Sequence, residues 1–164
     1  MRITLTASAL ILALMTLVLA SLTRASPARA AEKQVWGFVE SGSEALLVYG
    51  VPESDVVTLS FICDTGKKRV EVVSTVLPAK PRTGQAVKTT LRNGDATAAY
   101  DGKIGHSESG GFYVEASVAA EPKVVDVLRT GTALTISIPG REKRVPLRGV
   151  TEPLARFEAA CWRR

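Results

Sequence analysis

The residues best suited to chemistry lie in one stretch, YDGKIGHSESGG, from Tyr100 to Gly111. It holds His106, the sole histidine of the chain, together with Asp101, Ser107, Glu108 and Ser109. A Ser-His-Asp hydrolase needs a base within hydrogen-bond reach of the nucleophile and an acid that orients the base. Asp101, His106 and either serine lie too close along the chain for a loop to present them in that way. The run Gly105-His106-Ser107-Glu108-Ser109 also lacks the second glycine of a nucleophile elbow. His106-Ser107-Glu108 supplies the H-x-E half of a zinc-deaminase signature without its P-C-x-x-C half. The stretch therefore reads as a solvated hairpin loop, and a hydrolase built around His106 is the least supported functional reading.

Elsewhere the chemistry-bearing residues are scattered. One histidine and two cysteines without a CxxC spacing make no zinc site unless carboxylates complete it. No phosphate loop, dinucleotide fingerprint or EF-hand occurs, and no spacing singles out a pair of carboxylates for glycoside chemistry. Lys67-Lys68-Arg69 and the run Arg141 to Arg148 read as solvated turns and strand ends rather than a nucleic-acid groove. Trp36 and Trp162 read as core or helix-anchoring residues. No catalytic residue, metal or cofactor is expected.

The two cysteines, Cys63 and Cys161, stand 98 positions apart. Their meaning depends on the compartment, and the N-terminus indicates export. Arg2 precedes the apolar run ALILALMTLVLA, Ala9 to Ala20, and Ala28-Arg29-Ala30 supplies the small-x-small pattern of a signal-peptidase site. Residues 1–30 read as a signal peptide cleaved between Ala30 and Ala31, leaving 31–164 as a single periplasmic β-rich domain. The alternative is an uncleaved anchor spanning Ile3 to Leu22. In an oxidising compartment the cysteines are expected to form a disulfide rather than two free thiols. Closing so long a loop is worth up to ~4–5 kcal/mol on the chain-entropy account.

Export also changes the charge. The 164 residues carry a formal +5, but Arg2, Arg24 and Arg29 belong to the signal, which has no acid, so the remainder carries only +2. That excludes a strong basic field directed at nucleic acid or an anionic membrane.

The elements that would position any site are strands. Val57, Leu59, Phe61 and Cys63 alternate with Thr58 and Ser60. Val70, Val72 and Val76 repeat the pattern after Gly66-Lys67-Lys68. Phe112, Val114, Ala116 and Val118 alternate with Tyr113, Glu115 and Ser117, and Leu134, Ile136 and Ile138 with Thr135 and Ser137. Further strands are expected at Gln34 to Val39, Ala45 to Tyr49, Ala86 to Leu91, Thr97 to Tyr100 and Lys143 to Leu147. Asn93-Gly94 and Pro139-Gly140 supply hairpin turns. The pattern predicts a mainly β fold, an antiparallel β-sandwich or barrel-like sheet. Two helices are expected: a short one from Pro122 to just before Gly131, and a C-terminal one capped by Thr151. The second presents Leu154, Phe157 and Cys161 on one face, with Arg163 and Arg164 suited to its C-terminal dipole. A disulfide would tie it to the sheet.

Two segments resemble the periplasmic and membrane-bound inhibitors of c-type lysozyme of Gram-negative bacteria. One is an aromatic-x-Cys strand entering a turn, Phe61-Ile62-Cys63-Asp64-Thr65-Gly66-Lys67. The other is a later Ser-Gly-x-x-Tyr segment, Ser109-Gly110-Gly111-Phe112-Tyr113, followed by a second cysteine near the C-terminus. The chain departs from the family at Phe112, where a basic residue is usual, and in its strands before Val56. The ending VPLRG…L…F…AC is also similar to that of small exported alphaproteobacterial proteins, some described as hydrolase inhibitors. The resemblance implies a non-catalytic inhibitor of lysozyme or another peptidoglycan hydrolase. Its partner-binding residues would be Ser109, Tyr113 and Lys103, which would offer donors to the paired carboxyl groups of the cleft. Tyr113 has a competing role, packing against the sheet. A net +2 gives no long-range steering toward a basic enzyme, so affinity would rest on local contacts. The rival reading is a cell-envelope scaffold or secretion-accessory protein.

Overall fold

The computed structural model describes residues 33–108 and 111–162. The expected signal peptide, Ser109, Arg163 and Arg164 lie outside the described residues. Among those described, nine antiparallel strands form one curled sheet: β1 (Val35–Ser41), β2 (Glu44–Gly50), β3 (Val57–Asp64), β4 (Arg69–Ser74), β5 (Ala86–Asn93), β6 (Ala96–His106), β7 (Phe112–Ala119), β8 (Ala133–Ile138) and β9 (Arg141–Pro146). Their order is β1-β2-β3-β4-β7-β6-β5-β8-β9. The barrel-like alternative is thus the one adopted, with a helix, α1 (Thr151–Cys161), after the last strand.

The alternation seen in the sequence sets the inside of the curl. Leu47 on β2, Leu59, Phe61 and Cys63 on β3, Val70 on β4, and Leu134 and Ile136 on β8 are fully buried. The two outermost strands meet through side chains. The Trp36 indole N–H donates to the Pro146 carbonyl at 2.8 Å. Lys143 reaches the Thr58 hydroxyl at 2.8 Å, and that hydroxyl donates to the Gln34 amide oxygen at 3.1 Å. Thr58 sits where the β2–β3 register shifts at Gly50, a bulge that aims it toward β9.

Helix α1 covers the inward side of β1 and β2. It buries Leu154, Phe157 and Ala160, and its Arg156 guanidinium lies 4.7 Å from the Phe38 ring centre. Trp162 packs edge-on against Phe157. The Cys63–Cys161 disulfide, Cα atoms 5.8 Å apart, ties the helix end to β3.

Three expectations are corrected. Thr151 does not cap α1: Val150 precedes the helix in αR conformation, and Thr151 is already its first helical residue. The Val150 carbonyl takes the first helical bond, from Leu154 N–H at 2.8 Å, so the preceding turn leads directly into the helix. The segment after Pro122 is not one helix but two 3₁₀ turns, Pro122–Val124 and Asp126–Leu128. Its carbonyls are claimed by the sheet: Tyr100 hydroxyl donates to Val124 at 2.8 Å, and the Asn93 amide donates to Val127 at 2.9 Å and to Thr130. Four apolar side chains, Val124, Val125, Val127 and Leu128, are buried there, which one helical face does not achieve. Finally, Tyr100 to Gly111 is mostly not a loop, because β6 stays extended as far as His106. Gly102 and Gly105 conceal that strand in the sequence.

Candidate functional site

The stretch that attracted attention for its chemistry becomes the closed end of the β6–β7 hairpin. Four residue pairs form its ladder: Lys103–Glu115, Ile104–Val114, Gly105–Tyr113 and His106–Phe112. Beyond them Ser107 N–H donates to the Gly111 carbonyl at 2.9 Å, and Gly111 N–H donates to Ser107 Oγ at 3.1 Å. The His106 and Phe112 rings stack edge-on, with centres 4.7 Å apart.

The Asp-His-Ser set does not assemble. Asp101 and His106 lie on opposite faces of β6, separated by five residues or roughly 16 Å of strand. Asp101 faces Lys88 instead, at 3.5 Å. The Ser107 hydroxyl is engaged with the Gly111 backbone.

Tyr113 and Lys103 share the outer face of this hairpin, since both occupy odd positions of the ladder. The Tyr113 ring lies across Gly105: a Cβ built there would meet the ring carbons and, at 2.7 Å, the phenol oxygen. Only glycine lets the ring close over β6, and the half-buried Tyr113 so stiffens the hairpin. Lys103 is exposed opposite Glu115. The structure thus brings two of the three expected partner-binding residues, Tyr113 and Lys103, onto one face, and Ser109 lies outside the described residues.

The other end of the same two strands is a feature that the sequence reading missed. The β6–β7 ladder stops at Lys103–Glu115, although β6 continues back to Ala96 and β7 forward to Ala119. At the fork Gly102 passes so close to β7 that a Cβ would lie 2.5 Å from the Glu115 carbonyl oxygen. Past the fork the strands splay around a cleft of about 690 Å³. Its walls include Ala96 to Tyr100 and Val118–Ala119, and its floor is the 3₁₀ segment with Val124 and Val127. Burial, aided by the Asp126 carboxylate, pushes the Tyr100 phenol up to about 12. A glycine two residues after Tyr100, preceded by the small-residue run Ala96-Thr97-Ala98-Ala99, is the signal that marks this place in the sequence.

No helix of the described residues is long and apolar enough to cross a membrane. No protein-family model, curated protein or solved structure matches this chain, so its site is argued from its own geometry and chemistry.

Proposed function

We propose that this protein is a periplasmic, non-catalytic inhibitor of a peptidoglycan hydrolase of the lysozyme type, engaging it through the closed end of the β6–β7 hairpin. The observation that carries the reading is the stiffness of that end. Ring closure of Tyr113 over Gly105, the His106–Phe112 stack and the bonds between Ser107 and Gly111 hold the described end of the hairpin before any partner arrives. A preorganised hairpin end loses little entropy on entering a cleft. Tyr113 and Lys103 on one face, together with Ser109 from the same segment of sequence, supply hydroxyl and ammonium donors of the kind that paired catalytic carboxyl groups accept. The disulfide fits an exported protein.

The test is inhibition itself. The purified protein slows lysozyme acting on peptidoglycan at near-stoichiometric ratio, and Ser109→Ala with Lys103→Ala weakens the effect. Tyr113→Phe separates the phenol's donor role from its packing role, because the ring still covers Gly105. Absence of inhibition at large excess, over a panel of peptidoglycan hydrolases, defeats the proposal in favour of the scaffold reading.

A further inference from the structure

We infer that the splayed end of β6 and β7 is a receptor for an extended, uncharged polypeptide segment of a partner protein, which adds as a strand between them. The reasoning begins with the direction of the backbone. Ile104 bonds toward the β5 side, donating to Gln85 and accepting from Gly84. Even-numbered residues of β6 therefore face β5, and odd-numbered ones face β7. Past the end of the ladder, the N–H and C=O groups of Thr97, Ala99 and Asp101 consequently point toward the β7 side, with Thr97 and Ala99 in the wall of the cleft. On β7, Ala120 N–H donates to Lys68 on the β4 side, so Ser117 and Ala119 point toward β6.

No β6–β7 ladder pair forms beyond Lys103–Glu115 among the described residues. One substitute is present: the Arg69 guanidinium bends across to the Ser117 carbonyl at 3.1 Å and the Ser117 hydroxyl at 2.8 Å. A ladder partner at Ser117 would make that bond redundant. Donors and acceptors repeating every second residue on two facing strands match the main chain of an extended peptide, the pattern used in strand addition.

The cleft also selects side chains. Its lining offers Tyr100, Val118, Val124 and Val127, suited to small apolar groups on alternate positions of the incoming strand. Its acids are already paired: Glu121 with Lys123 at 2.6 Å and Asp126 with Arg129 at 2.9 Å. With the acids of its lining paired, charge complementarity along that lining favours a neutral segment. Its volume of about 690 Å³ is that of a formed ligand site.

The probe is a neutral, end-capped heptapeptide of alternating threonine and valine, and the measurement is residue-resolved amide exchange on the purified protein. Thr97, Ala99, Asp101 and Ala119 amides exchange fast in the free protein and slow at least about tenfold with the peptide. A peptide N-methylated at alternate residues gives no protection. Ala99→Pro abolishes the protection while leaving the melting temperature nearly unchanged, because its N–H belongs to no ladder. Ala98→Pro, whose N–H bonds to β5, unfolds the protein. Four results overturn the inference. The peptide protects none of these amides; the N-methylated peptide protects them equally; they are protected already at every protein concentration, so that the chain covers its own edge; or protection grows with protein concentration alone, so that a second copy does. This cleft and the hairpin tip lie at opposite ends of the two strands. Loss of peptide protection in Ala99→Pro and loss of inhibition in the tip variants therefore report separately.

Discussion

Strands β6 and β7 form two different structures at their two ends. At one end four pairs, a tyrosine folded over a glycine and a turn tied by Ser107 make a closed hairpin. At the other the same strands diverge, and the chain leaving β7 passes beneath β6 as two 3₁₀ turns held by Tyr100 and Asn93. A glycine is required at each end for a different reason. Gly105 makes room for a side chain, whereas Gly102 makes room for backbone. A side chain can move aside and a neighbouring strand cannot, so the splayed end is the more tightly specified of the two.

The sharpest way to break this contrast is Gly102→Val. Its Cβ meets the Glu115 carbonyl, so the substitution should cost about 2–3 kcal/mol, as overpacking against an immovable neighbour does; urea unfolding measures it. A cost near zero would mean that β6 can slide off β7 at the fork.

Next in size is Tyr100→Phe, which leaves the Val124 carbonyl without its buried donor and should cost about 1–2 kcal/mol. It also carries a pH signature. The phenol's folded pKa is raised, from an ordinary 10 to about 12, so its contribution is complete below pH 10. That contribution is lost as pH rises from 10 through 12, because the unfolded chain then releases the proton more readily. The wild-type protein should lose stability across that window in denaturant titrations, and the variant should not show this loss.

The smallest effect is expected at the closed end. Gly105→Ala displaces only the Tyr113 ring and should cost about 1 kcal/mol. In the Tyr113→Ala background most of that cost should vanish, a coupling that a double-mutant cycle reads directly. Additive costs would show that the ring does not depend on Gly105.

Much of the fold was legible because alternation in a sequence is a direct image of a strand with one face buried. Val57 to Cys63 and Phe112 to Val118 show it plainly: both are strands, with Leu59, Phe61, Cys63, Val114 and Ala116 buried as expected, although Thr58 and Ser60 are buried as well. The disulfide was legible from an expected export signal and the number of cysteines. The second half of β6 was not, because Gly102 and Gly105 leave gaps in the alternation where other residues fill the space. The 3₁₀ segment was misread as a helix because Pro122 and Gly131 are helix punctuation, while the bonds that decide its shape come from Asn93 and Tyr100, distant in sequence. Thr151 was misread as a cap because a good capping residue does not cap when the turn before it already enters the helix.

For the candidate site the division is similar. Tyr113 and Lys103 were chosen by a short resemblance, and only the ladder placed them on one face. The cleft had no motif, since it is made of backbone groups that every residue carries. By itself, the sequence determined an antiparallel β fold, two cysteines fit to join, and a chain with little net charge after its first 30 residues. These follow from local periodicity and composition. Only the tertiary structure decided that the sheet curls into one barrel-like layer, and that β6 leaves β7 at Gly102. Both depend on which distant segments compete for the same space and the same hydrogen bonds, which no local pattern records.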